Sequence, residues 1–125
     1  MSFNTCILFI GYILSCLLAV VIHEIIHFIT ASFCKLNPSL ILDNWAIPKV
    51  VFKNAGNDYK NLLVACLAPI CLITLGVAIH FVVNAFVVFQ FMCLTNILNL
   101  LPVSSDGEII YLSIGNIFSK RKAAK

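Results

Sequence analysis

The residues whose types and spacing point most directly to chemistry are His23-Glu24-Ile25-Ile26-His27. Two histidines four positions apart on a helix lie one above the other on the same face, so both imidazoles can reach one metal ion. The glutamate between them lies one step around the helix, where it can act as a general base on a water molecule activated by the metal. The alternative is a structural cluster of hydrogen-bonded side chains. Ionisable side chains within a membrane span are costly and usually mark a function, which favours the metal site.

The composition is typical of a membrane protein. Hydrophobic residues make up 62% of the 125 residues and charged residues 10%, whereas soluble domains have ~45–50% and ~25%. A chain of this length forms one domain, here residues 1–125. Nucleic-acid binding is not expected, because the basic residues are dispersed along the chain. They are Lys35, Lys49, Lys53, Lys60, Lys120, Arg121, Lys122 and Lys125.

Three stretches are apolar enough to cross a bilayer, at about 5–34, 62–79 and 84–101. Three spans place the loop 35–60 and the basic tail 108–125 on the same side of the membrane, and these two segments hold every Lys and Arg. The positive-inside rule then predicts an N-terminus outside the cell and a cytoplasmic loop and tail. The sequence therefore predicts an all-α integral protein of the cell membrane with three transmembrane helices.

The cytoplasmic loop between the first and second spans has the pattern of a short β-hairpin. Residues 39–42 and 49–52 are the two candidate strands, because both are rich in aliphatic and β-branched side chains. Asn57 or Asp58 is a candidate N-cap for the second span. His80 is expected in the turn that follows this span rather than as a metal ligand.

One face of the first span carries small residues beside the histidines. Small residues let neighbouring helices approach closely in lipid, so this face is predicted to lie in the interior of the bundle. Its members, at steps of four, are Gly11, Ser15, Ala19, His23, His27 and Ala31.

A second set of polar residues lies where the third span should end. Asn99 and Pro102 are followed by Asp106 and Gly107, and the proline should stop or bend the helix. With a rise of ~1.5 Å per residue, His23 and Asn99 lie at similar depths near the cytoplasmic side. Asp106 could therefore fold back and reach the histidines as a third, anionic ligand. The alternative is an ordinary helix exit, since Pro, Asp and Gly are common in loops.

Taken together, these residues resemble the motifs of the site-2 protease family of intramembrane zinc metalloproteases. That family has His-Glu-x-x-His in one span and Asn-x-x-Pro, followed shortly by Asp-Gly, two spans later. The resemblance covers nearly the whole chain, with one departure: the segment between Pro102 and Asp106 is one residue shorter than is common in the family. The matching residues are His23, Glu24, His27, Asn99, Pro102, Asp106 and Gly107.

The resemblance implies a zinc-dependent endopeptidase that cleaves transmembrane or membrane-associated peptides near the cytoplasmic face. His23, His27 and Asp106 would bind Zn²⁺ as the cofactor. Glu24 would be the general base, and Asn99 would hydrogen-bond the substrate backbone or the developing oxyanion. A strand of the cytoplasmic loop would pair with an unwound segment of the substrate. The expected partners are a peptide substrate and the lipid bilayer.

Two other functions fit part of the pattern. A catalytically inactive metal-binding membrane protein, acting as an adaptor or immunity protein, would keep the metal ligands but would not need Glu24. A small transporter or channel subunit would need polar residues spread along a pathway, whereas here they gather at one depth. An intact Glu24 therefore favours the peptidase.

Overall fold

A computed structural model of the chain describes residues 3–42, 48–54, 56–82 and 87–123. Four α-helices, one 3₁₀ helix and a two-stranded antiparallel sheet make up these residues. In chain order the elements are α1 (Phe3–Phe33), β1 (Ser39–Leu42), β2 (Pro48–Val51), α2 (Asp58–Val82), α3 (Val87–Leu94), the 3₁₀ helix (Thr95–Leu100) and α4 (Ser105–Ala123).

Within the described residues, three helical stretches are long and apolar enough to cross a membrane: Thr5–Phe33, Asp58–Val82 and Val87–Ala123. Many of their large apolar side chains are exposed, for example Leu8 at 72% and Phe33 at 84%, which suits contact with lipid rather than water. The prediction of a helical membrane protein with three spans and a hairpin between the first two is confirmed. The direction in which the bundle crosses the membrane stays a prediction.

Helical structure extends beyond the predicted spans. Helix α2 contains the whole of the predicted span 62–79 and continues further, so that His80 lies in its last turn and is exposed. The start of the predicted span 84–101 falls in 83–86, outside the described residues. After the 3₁₀ helix the chain forms α4, so most of the predicted basic tail 108–125 is helical.

The hairpin has the predicted position. Its first strand matches 39–42, and its second strand begins at Pro48 and ends at Val51, one residue before the predicted bounds at each end. Leu40 pairs with Val50 and Leu42 with Pro48 in an antiparallel register. Proline is tolerated at the first position of a strand, where no ladder hydrogen bond from its nitrogen is required.

A Schellman motif ends α1 and turns the chain towards the hairpin. The N–H of Leu36 donates to Ala31 O at 3.0 Å and the N–H of Lys35 donates to Ser32 O at 2.9 Å. Lys35 has a φ of 58°, the left-handed conformation that this motif requires. Leu36 is buried against Ala31, and Lys60 Nζ donates to the carbonyl of Cys34 at 2.9 Å. The helix therefore ends soon after the second histidine with most of its terminal carbonyls satisfied.

Polar contacts fix the start of α2 and join it to the end of α4. Asn57 Oδ1 accepts hydrogen bonds from two backbone N–H groups of the first turn, at 3.1 and 3.3 Å, which confirms it as the N-cap. Asp58 accepts from Lys120 Nζ at 2.6 Å and from Asn116 Nδ2 at 3.1 Å. The end of α4 and the start of α2 therefore lie at the same end of the bundle.

The buried apolar residues lie on both sides of the histidines of α1. The small-residue face is buried at Ala19 and Ala31, whereas Gly11 is exposed. That face therefore packs inside the bundle from Ala19 onwards. One buried cluster consists of Ala19, Leu72, Phe89 and Cys93, and the other of Ala31, Leu36 and Val64.

Candidate metal centre

Three side-chain donors from α1 and α4 converge on one point. His23 Nε2 lies 2.9 Å from His27 Nε2, and Asp106 Oδ2 lies 3.0 Å from the first and 3.1 Å from the second. Both histidines are buried and Asp106 is half-buried. The structure thus brings together the three residues that the sequence nominated as ligands, and they form a group that could hold a metal ion.

The hydrogen bonds of the imidazoles decide which nitrogen faces this point. His23 Nδ1 is 2.9 Å from Asn96 Oδ1, and His27 Nδ1 is 3.0 Å from the carbonyl oxygen of Val64. Both partners are acceptors, so we assign the imidazole hydrogen to Nδ1 in each ring, where it is donated. Each Nε2 then presents its lone pair to Asp106, as in metal-binding histidines held by a second hydrogen bond.

The donor set and its dimensions fit a divalent cation. Two imidazole lone pairs and a carboxylate facing one another need positive charge between them, as a metal ion or as added protons. A point equidistant from the three donor atoms lies ~1.7 Å from each, slightly less than the ~2.0–2.2 Å bonds of Zn²⁺ to nitrogen and oxygen. His23, His27 and Asp106 are therefore close to the separation at which they would hold such an ion, which would leave a further position for water. The same donor types also suit non-haem Fe²⁺.

The start of α4 determines where Asp106 lies. Ser104 is the N-cap of this helix, because its Oγ accepts from the N–H of Gly107 at 3.1 Å and its carbonyl accepts from the N–H of Glu108 at 2.9 Å. A Cβ at Gly107 would lie 1.7 Å from the carbonyl oxygen of Leu101. The two backbones can approach this closely only because residue 107 is glycine, which places Asp106 opposite the histidines.

An asparagine pair on the 3₁₀ helix supports the histidine side of the site. Asn96 Oδ1 faces His23 Nδ1 and also accepts from Asn99 Nδ2 at 3.0 Å, while Asn96 Nδ2 donates to the carbonyl of Met92 at 3.1 Å. Asn99, nominated from the sequence as a substrate contact, is therefore linked to the ligand His23 by two hydrogen bonds that share Asn96. Sequence reasoning missed Asn96 as the orienting residue. The available signal was the spacing of three between the two asparagines, which places them on one helix face.

Glu24 faces the hairpin and contacts β2. The backbone N–H of Val50 donates to Glu24 Oε2 at 2.7 Å, so the carboxylate is held by a short, charge-assisted hydrogen bond. Glu24 is half-buried and Val50 is buried. Glu24 follows His23 on α1, and β2 lies beside this helix. Glu24 therefore points towards β2 and away from the lipid-facing surface.

A cavity of about 700 Å³ joins these groups. The three donor residues, Glu24, Asn99 and residues of β2 contribute to its lining, together with apolar side chains of α1. Its size and mixed lining are those of a ligand site. The cavity can therefore hold a short extended segment of peptide between the candidate metal ligands and the hairpin.

Comparison with known proteins gives no independent assignment. No protein-family model, no curated protein and no solved structure matches this chain. The function must therefore be inferred from the chemistry of the chain's own residues.

Proposed function

We propose that the chain is an intramembrane zinc metalloprotease of the site-2 protease kind, which cleaves transmembrane or membrane-associated peptides near the cytoplasmic face. One observation carries the proposal: His23 Nε2, His27 Nε2 and Asp106 Oδ2 converge within 3.1 Å of one another. Glu24 lines the same cavity. Ionisable groups placed together between apolar helices are a costly arrangement that function explains better than stability.

Glu24 is the reason to prefer a hydrolytic zinc site over other uses of these ligands. A structural metal site, or the iron site of an oxygenase, needs no carboxylate base beside two histidine ligands. Zn²⁺ bound by His23, His27 and Asp106 would lower the pKa of a water molecule to ~7 and polarise the scissile carbonyl. The carboxylate of Asp106 would also offset the charge of the ion in a setting of low dielectric constant.

The proposed reaction is hydrolysis of a peptide bond with Glu24 as the proton carrier. As the water oxygen bonds to the carbonyl carbon, Glu24 accepts one of its protons. Glu24 then gives this proton to the amide nitrogen as the carbon–nitrogen bond breaks, which leaves a carboxylic acid and an amine. The acid then loses its remaining proton, to the amine or to water, and becomes a carboxylate. Asn99 retains a second N–H on Nδ2 beyond the one donated to Asn96. That donor is available to the substrate backbone or to the developing oxyanion.

The substrate must reach this site in an extended form. A transmembrane helix engages its carbonyls in internal hydrogen bonds, so cleavage requires local unwinding. Strand β2 lines the cavity, and an extended segment can add to the edge of a strand through backbone hydrogen bonds. We therefore expect cleavage close to helix-breaking residues of the substrate.

The cytoplasmic placement of the site rests on the distribution of charge. The ion pair of Lys120 with Asp58 puts the end of α4 beside the start of α2. Lys60 lies in the first turn of α2 and its Nζ reaches the carbonyl of Cys34, so Lys60 of the loop and Lys120 of the tail lie at the end of the bundle where α2 begins. The positive-inside rule assigns this end to the cytoplasm.

The test is a zinc and cleavage assay on purified protein in lipid nanodiscs. The substrate is a synthetic single-span peptide with a central Gly-Pro break. The wild type should bind one zinc ion per chain and cleave the peptide, with cleavage abolished by a chelator. Glu24→Gln should retain zinc and cleave ~10²–10⁴-fold more slowly, because it cannot accept the proton. Glu108→Gln, a change at an exposed acid in the first turn of α4, is the matched control and should leave both properties unchanged.

Full activity of Glu24→Gln, or cleavage that persists in chelator, would contradict the proposal. An inactive metal-binding adaptor or immunity protein would bind zinc and cleave no peptide, and Glu24→Gln would then be without effect. The same assay therefore separates the two functions.

A further inference from the structure

We infer that the backbone N–H of Val50 holds Glu24 in the resting protein and releases it when an extended peptide pairs with β2. The inference rests on the proposed function and adds a condition to it, namely that the general base becomes free only when substrate occupies the hairpin edge. It depends on the 2.7 Å hydrogen bond from Val50 N–H to Glu24 Oε2 and on the register of the hairpin.

The register shows which backbone groups of β2 face away from β1. Adjacent residues of a strand direct their N–H and C=O groups to opposite sides. The N–H of Val50 points to Glu24, so the pair Leu40–Val50 is not hydrogen-bonded, and the pair Ile41–Lys49 carries ladder bonds instead. The backbone groups of Pro48 and Val50 therefore form the edge of β2 that faces away from β1, and Val50 lines the cavity.

The free edge of β2 carries a single donor within its four described residues. Pro48 has no N–H, so the N–H of Val50 is the only backbone donor that this strand offers to an incoming chain. That donor is already bonded to Glu24. A peptide that adds to the edge can bond to the carbonyl oxygens of Pro48 and Val50 directly, but it must displace Glu24 from the N–H of Val50.

Displacement exchanges one hydrogen bond for another. A carbonyl oxygen of the peptide takes the N–H of Val50, and the Glu24 carboxylate, one residue from the ligand His23, gains a free lone pair. Because Val50 is buried, the N–H would otherwise be left without a partner at a cost. The exchange is therefore coupled: Glu24 leaves when the peptide arrives, and a peptide too short to reach Val50 leaves the base restrained.

The same hydrogen bond could instead position Glu24 permanently, and this alternative predicts the opposite effect on the cleavage of short peptides. If the N–H of Val50 orients Glu24 throughout catalysis, loss of this donor should slow cleavage of every peptide equally. If it restrains Glu24, loss should slow cleavage of peptides that pair with β2 and accelerate cleavage of short peptides that do not.

The first experiment reads the contact directly and requires no activity. Zinc-loaded Glu24→Gln and Glu24→Ala should both cleave too slowly to consume the peptide, but only glutamine retains an oxygen that can accept from the N–H of Val50. In nanodiscs, amide exchange of Val50 measured by NMR should be at least ~10-fold slower in Glu24→Gln than in Glu24→Ala. Saturation with the single-span Gly-Pro peptide should protect Val50 equally in both variants. The inference would be overturned if the two variants had the same exchange rate at Val50 without peptide, or if their rates still differed at saturation. It would also be overturned if the peptide showed no saturable binding.

The second experiment uses a proline to remove the donor. Val50→Pro deletes an N–H that makes no ladder bond, so the hairpin should survive; Val50→Ala keeps the N–H and is the control for the lost side chain. Relative to Val50→Ala, Val50→Pro should cleave the single-span peptide more slowly and a six-residue peptide spanning the same bond ~10-fold faster. Equal slowing of both peptides at unchanged zinc content would overturn the inference. Because the exchange experiment needs no hydrolysis, failure of the protease assay and failure of this coupling are separable.

Discussion

Replacement of Gly107 by alanine should greatly weaken metal binding while the helices remain folded. The Cβ of an alanine at this position would lie 1.7 Å from the carbonyl oxygen of Leu101, 2.3 Å from its carbonyl carbon and 3.0 Å from the nitrogen of Pro102. All three are backbone atoms, so no rotation of a side chain can relieve the contact. The start of α4 and the segment before it must therefore move apart.

The size of this movement can be compared with the tolerance of a metal site. Restoring an ordinary contact of ~3.4 Å from 1.7 Å requires a displacement of roughly 1.7 Å, whereas metal–ligand distances tolerate only ~0.2 Å. Asp106 precedes Gly107 directly and moves with it, so its carboxylate leaves the two histidines. Loss of one of three protein ligands should weaken zinc binding at least ~100-fold, which corresponds to about 2.7 kcal/mol.

The assay is competition for zinc with a chromophoric chelator, with helicity measured by circular dichroism. Gly115→Ala is the matched control, because it lies in the same helix and a Cβ there meets no atom of the described residues within 4 Å. Gly115→Ala should bind zinc like the wild type and gain up to ~1 kcal/mol of stability from helix propensity. If Gly107→Ala bound zinc within threefold of Gly115→Ala, the close crossing of the two backbones would be refuted.

Three further changes test the surroundings of the site. Asn96→Ala removes the acceptor of His23 Nδ1 and should weaken zinc binding ~10–100-fold in chelator competition, whereas Asn96→Asp keeps an acceptor and should retain most of the affinity. Gly76→Ala would place a Cβ 2.8 Å from Cys93 Cβ and should lower the free energy of unfolding by ~1–3 kcal/mol in a denaturant titration, with zinc stoichiometry unchanged. Chelation should lower the melting temperature of the wild type but not that of Asp106→Asn, whose ion is already weakly bound.

The parts of the fold that were predictable from sequence are those set by local pattern. The apolar length of each span and the strand pattern of the loop indicated three crossing helices and a hairpin, and Asn57 was recognisable as a cap. Helical spacing alone places His23 and His27 on one face. The approach of Asp106 to the histidines depends on a chain reversal, which the similar depths of His23 and Asn99 and the order of the motifs suggest but no local pattern specifies.

The remaining features depend on contacts between distant segments. The N–H of Val50 reaches Glu24 across 26 positions, and nothing in either segment alone specifies this hydrogen bond. The helical course of the predicted tail was missed although Ser104 and the acidic residues after it have the pattern of a helix start. The apolar run before Pro102 predicts that the third crossing ends there, and this prediction leaves the helix that follows unaccounted for.

The metal ligands and the groups that hydrogen-bond to them come from four different elements of the bundle. Metal binding therefore depends on the tertiary structure. The histidines lie on α1 and the aspartate on α4, while the acceptors of the two Nδ1 hydrogens come from the 3₁₀ helix and from α2. Asp106 lies in the first turn of α4, where the helix dipole favours a negative charge. A bound ion therefore adds a link among four elements, of which α1 and α2 already meet in buried apolar clusters and α2 and α4 through the ion pair of Lys120 with Asp58. At a free zinc concentration 1,000-fold above its dissociation constant it would stabilise the folded state by ~4.1 kcal/mol. For a chain of this size that is a large share of the total, so the geometry that would serve catalysis would also hold the bundle together.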